Sequence, residues 1–139
     1  MPGPTPYILF PGTAREALSF YAVVFGGTAE LHSFAEFGRT DGPADAIAHG
    51  QLVDAPVALY AADVAGDGSA FRAEGLMLSL LGTADATTLR TWFSRLADGG
   101  TVVDDLQRRA WGAFDGQVID RHGVHWLIGF EVDADPDLG

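Results

Sequence analysis

A chain of 139 residues with 47% hydrophobic side chains is long enough to bury a proper core, as one compact unit or two half-domains. Its formal charge of -11, from 19 acidic against 8 basic residues, repels phosphate backbones and anionic bilayers, so neither nucleic acid nor membrane is expected as a partner. The absence of cysteine rules out disulfides, thiol catalysis and thiolate-held zinc; with an opening MPGPTPYILF that lacks a basic n-region and a long apolar run, this predicts a cytoplasmic protein.

Tyr7 to Phe10 is expected to form a short strand bounded by Pro6 and Pro11, which have no N–H to give a ladder. Thr13, with Glu16 three residues on, reads as a capping box that opens a helix. The buried stripe of that helix is Ala17, Phe20, Tyr21, Val24 and Phe25, and Gly26 closes it. Thr28 to Phe34 alternates as an imperfect strand, and Ala35 to Asp45 reads as a loop. Two strands follow, Ile47 to Val53 and Pro56 to Ala62, joined by a turn at Asp54-Ala55.

The glycine-rich, acidic stretch Asp63 to Gly75 reads as a linker. Beyond it the pattern restarts. Leu76 to Leu81 is an apolar strand, and Asp85 caps a second helix with the stripe Leu89, Trp92, Phe93 and Leu96, stopped at Gly99. Thr101 to Leu106 is a strand, and Ala113 to Asp120 and Val124 to Val132 form a hairpin with Gly123 in its turn. On the last strand Val124, Trp126, Ile128 and Phe130 share one apolar face, which places Trp126 in the core. The stretches Gly12 to Thr28 and Gly82 to Thr101 both open on Gly-Thr-Ala and close on Gly-Gly-Thr, so the chain is a duplicated strand-helix-three-strand unit. The fold class is therefore α+β: a first module over residues 1–63, a linker over 64–75, a second module over 76–132 and an acidic tail over 133–139.

Few residues suggest chemistry. His49, in AHGQLV, is placed to donate to a ligand oxygen or to act as a base near neutral pH, the alternative being a hydrogen-bonded structural histidine. Gln51 and Tyr60 would add polar groups to a mostly apolar pocket. His125 points away from the face that carries Trp126, while His122 and His32 read as solvated. Trp111 follows Arg108-Arg109 and suits a gate for an anionic or planar ligand, or else an aromatic plug beside two solvated arginines. There is no nucleophile-base pair, phosphate loop or dinucleotide fingerprint.

The ordered set Tyr7-Ile8-Leu9-Phe10, Ala14 to Ala17, Phe20-Tyr21, Phe25-Gly26-Gly27, His49 with Leu52, Gly99-Gly100, Trp111-Gly112 and Asp120, Gly123 and Trp126 resembles the vicinal oxygen chelate, or glyoxalase-like, superfamily. More narrowly it resembles the PhnB-like subfamily, over residues 6 to 130. The resemblance implies two βαβββ modules whose curved mixed sheets enclose a cavity, a homodimer, and a divalent metal held from the first and last strands of each module. Here the expected ligand positions carry Tyr7 and Pro6, the run LMLSLL, and Ile128, with Glu131 three residues beyond. The expectation is a protein that binds a small organic molecule in a sheet-lined cavity, with an incomplete metal site and no cofactor. One alternative is a metal-dependent lyase, isomerase or dioxygenase that uses His49, His125 and Glu131 as displaced ligands; another is a non-catalytic structural or interaction module.

Overall fold

Tyr7–Phe10, held between prolines, forms the first strand (β1), and the duplicated pattern resolves into ten main elements in the computed structural model, which describes residues 4–65, 68–72 and 74–132. The expected acidic tail over 133–139 lies outside these residues. After β1 come helix α1 (Ala14–Phe25) and strands β2 (Thr28–Ser33), β3 (Ile47–Val53) and β4 (Tyr60–Asp63). The second set is β5 (Leu78–Leu81), α2 (Ala86–Ala97), β6 (Thr101–Arg108), β7 (Ala113–Ile119) and β8 (His125–Glu131). The chain divides into two units after Phe71.

Each unit is one βαβββ module with a four-stranded mixed sheet, ordered β1-β4-β3-β2 in the first and β5-β8-β7-β6 in the second. In both sheets the first strand pairs parallel with the last, Tyr7 opposite Tyr60 and Leu78 opposite Trp126, and the other pairs are antiparallel. The helix covers one face. In module one Ile8, Phe10, Leu59 and Ala61 are buried together with Ala17, Leu18, Tyr21, Val24 and Phe25 of α1. In module two Leu80, Val118, Trp126, Ile128 and Phe130 are buried together with Leu89, Trp92, Phe93 and Leu96 of α2. The full burial of Trp126, at 1% exposure, follows from the apolar alternation of β8.

The repeated Gly-Gly-Thr has a steric cause. Gly26 and Gly99 adopt φ of 91° and 76°, a region that side chains disfavour. The second glycine of each pair presses on the neighbouring strand: a Cβ at Gly27 would collide with the Val53 carbonyl, and one at Gly100 with that of Ile119.

Four local expectations need correction. Thr13 makes no side-chain capping bond, so the box with Glu16 is not formed; the Ala14 N–H is instead taken by Asp63 Oδ1 at 2.8 Å. That carboxylate is only 7% exposed and its Oδ2 accepts from Ile47 N–H at 2.9 Å, so Asp63 ends β4 as a tie between α1 and β3, where a linker had been expected to begin. Strand β4 starts at Tyr60 and not at Pro56, which has no N–H to contribute. Helix α2 ends at Ala97, two residues before Gly99.

Candidate functional site

Strand alternation sends Tyr7 and Leu9 of β1 to the side of sheet one away from α1. Register then sets the neighbours of Tyr7. Tyr60 lies opposite it on β4, Gln51 lies opposite Tyr60 on β3, and Glu30 lies opposite Gln51 on β2. His49 shares the face with Gln51, two residues away, and faces His32 across the β2–β3 ladder. The sequence-derived candidates His49, Gln51 and Tyr60 are thus brought onto one open, polar sheet face.

The centre of that face is a ring cluster. The Tyr7 hydroxyl lies 3.0 Å from His49 Nδ1, and the His49 and Tyr60 rings are 5.6 Å apart, with Tyr7 5.6 Å from His49 and 6.0 Å from Tyr60. Burial pushes the Tyr7 phenol above its ordinary value of 10.0. The Tyr7 contact engages Nδ1 of His49 and leaves Nε2 as the second ring nitrogen of the cluster. Beside the cluster Gln51 Nε2 donates to Glu30 Oε1 at 3.1 Å, and His32 Nε2 lies 3.3 Å from the same oxygen. The hydrogen bond from Gln51, followed by that from His32, holds the Glu30 carboxyl below its ordinary range. His32 also approaches Glu36 at 3.8 Å and stacks on Phe37, so it is half-buried and paired where a solvated histidine was expected.

Sequence reasoning did not single out Tyr7 as the partner of His49, or Glu30 as that of Gln51. Period-two alternation shows that each lies on a strand face. The missing information is which strands are neighbours, and for Tyr7 that is a parallel pairing made across most of the module.

Module two has a different open face. His125 Nε2 lies 3.0 Å from Gln117 Oε1 on the neighbouring strand. Trp111 is 73% exposed and lines a cleft of about 440 Å³ with Leu81, Phe114, Asp115, Phe130 and Glu131, so it is not a core plug. Its basic neighbour Arg109 is already paired within the module. Arg109 Nε donates to Asp115 at 2.7 Å and Nη2 to Asp104 at 2.6 Å, so the arginine is neither solvated nor open to an anionic ligand. Trp111 and His125 are not brought together, since β8 pairs Glu131 with Ala113 at the Trp111 end and His125 with Ile119 at the other.

The same separation tests the metal set. His125 and Glu131 lie at opposite ends of β8, roughly 20 Å apart at the strand rise, too far to share one ion. Of the positions implied for family ligands, Tyr7 lies opposite Tyr60 in module one, and in the run LMLSLL Ser79 lies opposite Leu127. Ile128 faces the helix and is fully buried. Two phenols, a serine and a leucine do not make the carboxylate and imidazole set such an ion needs. Among the described residues no three His, Asp or Glu side chains are grouped to hold a metal. The residues present do not fit the divalent metal that the resemblance implies.

Two buried carboxylates are structural. Asp63 is described above; Asp120, 3% exposed, accepts from the N–H groups of His122 and Val124 and from Trp126 Nε1 at 2.8 Å. The Asp120, Gly123 and Trp126 motif is thus a turn lock, and His122 is half-buried within it.

No protein-family model matches the chain. Its sequence is 27% identical to Protein YjdN of Escherichia coli (strain K12), over 89% of this chain and 92% of that one. Among solved structures, protein PA1353 from Pseudomonas aeruginosa is 33% identical, covering 94% of this chain and 98% of its own with a TM-score of 0.75. A PhnB protein from Bacillus cereus has the same TM-score of 0.75 at 19% identity, covering 93% of this chain and 99% of its own. A glyoxalase/bleomycin resistance protein/dioxygenase from Nocardioides shares the fold, with a TM-score of 0.58 at 12% identity over 98% of this chain and 88% of its own.

Proposed function

From a chain that belongs to the vicinal oxygen chelate superfamily, with a PhnB-like protein among its structural neighbours, we propose a binder of a small oxygen-bearing organic molecule, seated on the open face of module one. The observation that carries the reading is the Tyr7 hydroxyl at 3.0 Å from His49 Nδ1, which fixes the imidazole beside the Tyr60 ring. The two tyrosine rings and the imidazole give an apolar and aromatic seat, and His49 Nε2 with the Gln51–Glu30 pair give orientation, the usual division of labour in small-molecule sites. The hydroxyl that His49 approaches is a phenol whose ionisation burial disfavours, so binding, and not turnover, is the proposed activity. The reading includes a homodimer: β2 and β6 are edge strands, and β6 exposes Val102 and Val103, a combination that favours association. Light scattering at micromolar concentration is expected to give a dimer mass; a monomer mass would remove the dimer from the reading.

The test of binding is a thermal-shift screen of the untagged protein against small carbonyl, carboxylate and phenol compounds, followed by titration calorimetry of the hits. A hit on this face should lose about tenfold in affinity in His49→Ala and severalfold in Tyr7→Phe, with the melting temperature of the free protein nearly unchanged, which corresponds to about one hydrogen bond to a neutral partner. Hits whose affinity is the same in both variants would place the ligand elsewhere and end the assignment.

A further inference from the structure

The cleft beside Trp111 lies at the C-terminal ends of β5 and β8, and its volume of about 440 Å³ is in the range of small-molecule pockets. Leu81 and Trp111 give it apolar side chains, while the Phe114 and Phe130 rings, stacked at 5.2 Å, turn towards α2, where Arg90 covers them at 4.9 and 5.0 Å. Trp111, at 73% exposure, presents an open ring face. The ionisable side chains of the lining are both carboxylates, Asp115 and Glu131. Arg109, the cation that could have offset them, is matched by Asp115 and Asp104 together, one guanidinium against two carboxylates. Arg108 lies opposite Phe114 in the β6–β7 register, one position off Asp115, so an anion entering here would meet Glu131 while Arg109 is held by its two carboxylates. A cation would meet an open indole face, the side chain that attracts cations most strongly, next to a carboxylate.

We propose that this cleft binds a planar organic cation, with Trp111 stacked on its ring system and Glu131 paired with its charge. The site is separate in residues and chemistry from the module-one face, and it reverses the ligand charge that the Arg108-Arg109 pair suggests from sequence.

Proflavine, a planar aromatic cation, is the probe, and fluorescein, a planar anion of similar ring area, is its counterpart, both titrated by dye anisotropy into untagged full-length protein at about 0.15 M salt. Proflavine is expected to bind saturably at one site per chain. Trp111→Ala should weaken it about tenfold and Glu131→Gln about threefold, the size of a lost ring contact and a partly screened charge. Both side chains are exposed, so both variants should keep the melting temperature. Asp98→Asn, which removes an exposed acid in module two at the Arg121 end of β8, away from Glu131, should leave the affinity unchanged. The proposal is overturned if Trp111→Ala binds proflavine normally, if Asp98→Asn weakens it as much as Glu131→Gln and so shows attraction to net charge alone, or if fluorescein binds saturably and is lost in Trp111→Ala. Tyr7→Phe and His49→Ala are read separately on the module-one ligand, so failure of either site leaves the other standing.

Discussion

The two modules repeat one topology but anchor their helices in different ways. Helix α2 starts on a local cap, with Asp85 Oδ1 accepting from Thr88 N–H three residues on at 2.8 Å. Helix α1 has a threonine at the same position, but its first N–H goes to Asp63, 49 residues along the chain. A local cap stabilises a helix before the sheet exists, whereas a distant cap is satisfied only once the strands are in register. The open faces differ as well: module one presents imidazoles, phenols, an amide and a carboxylate, and module two an apolar cleft with two carboxylates and an indole. One topology thus presents two chemically different open faces, which is why the fold alone does not assign function.

The largest expected effect lies in module two. Trp126→Ala empties a fully buried site and leaves Asp120 Oδ2 without its indole donor, which should cost about 3 to 5 kcal/mol and unfold or nearly unfold the protein by thermal denaturation. Trp111→Ala should leave the melting temperature nearly unchanged; equal losses would make Trp111 a core residue and dissolve the contrast between the two tryptophans.

Asp63→Ala comes next. It leaves two buried N–H groups, of Ala14 and Ile47, unpaired, at about 1 to 3 kcal/mol each, and should be measurable as a lower urea midpoint. Smaller effects separate the helix starts: Asp85→Ala should lower the melting temperature by a few degrees, while Thr13→Ala should not move it, because Thr13 forms no capping bond. If Thr13→Ala were the more damaging change, the long-range cap would not be what starts α1.

The smallest effect is on acid stability. The Asp85 carboxyl is held below its ordinary value of 3.8 by the Thr88 backbone N–H, and Glu30 below 4.5 by Gln51 and then His32. A depressed carboxyl contributes stability that is present above its unfolded pKa and lost as pH falls through its folded value. Stability should therefore decline below about pH 4.5, and Asp85→Asn should flatten part of that decline; an unchanged slope would show that the cap bond contributes nothing.

Much of the fold was legible because strand and helix periodicities are local. The stripe of α2, that of α1 apart from half-buried Phe20 and the buried Leu18 beside it, the Asp85 cap, β3 to the residue and the burial of Trp126 all follow from neighbours a few positions apart. Asp63 was not legible, since a carboxylate at the edge of a glycine-rich stretch looks like a linker acid until β4 is paired with β1 and β3. The candidate site was legible as residue types but not as contacts: nothing local tells His49 that Tyr7 will arrive at its Nδ1. Arg109 misled in the same way, because one of the two carboxylates that neutralise it, Asp115, comes across the β6–β7 turn.

The central claim, that the Tyr7–His49–Tyr60 face receives an organic ligand without the superfamily's metal, is tested most directly by native mass spectrometry of freshly purified, untagged protein beside its His49→Ala variant. The account expects an organic mass on the wild-type chain that is absent from the variant, with no divalent ion bound in simple ratio to either. A divalent ion that stays on the wild-type protein through dialysis and disappears in His49→Ala would contradict it.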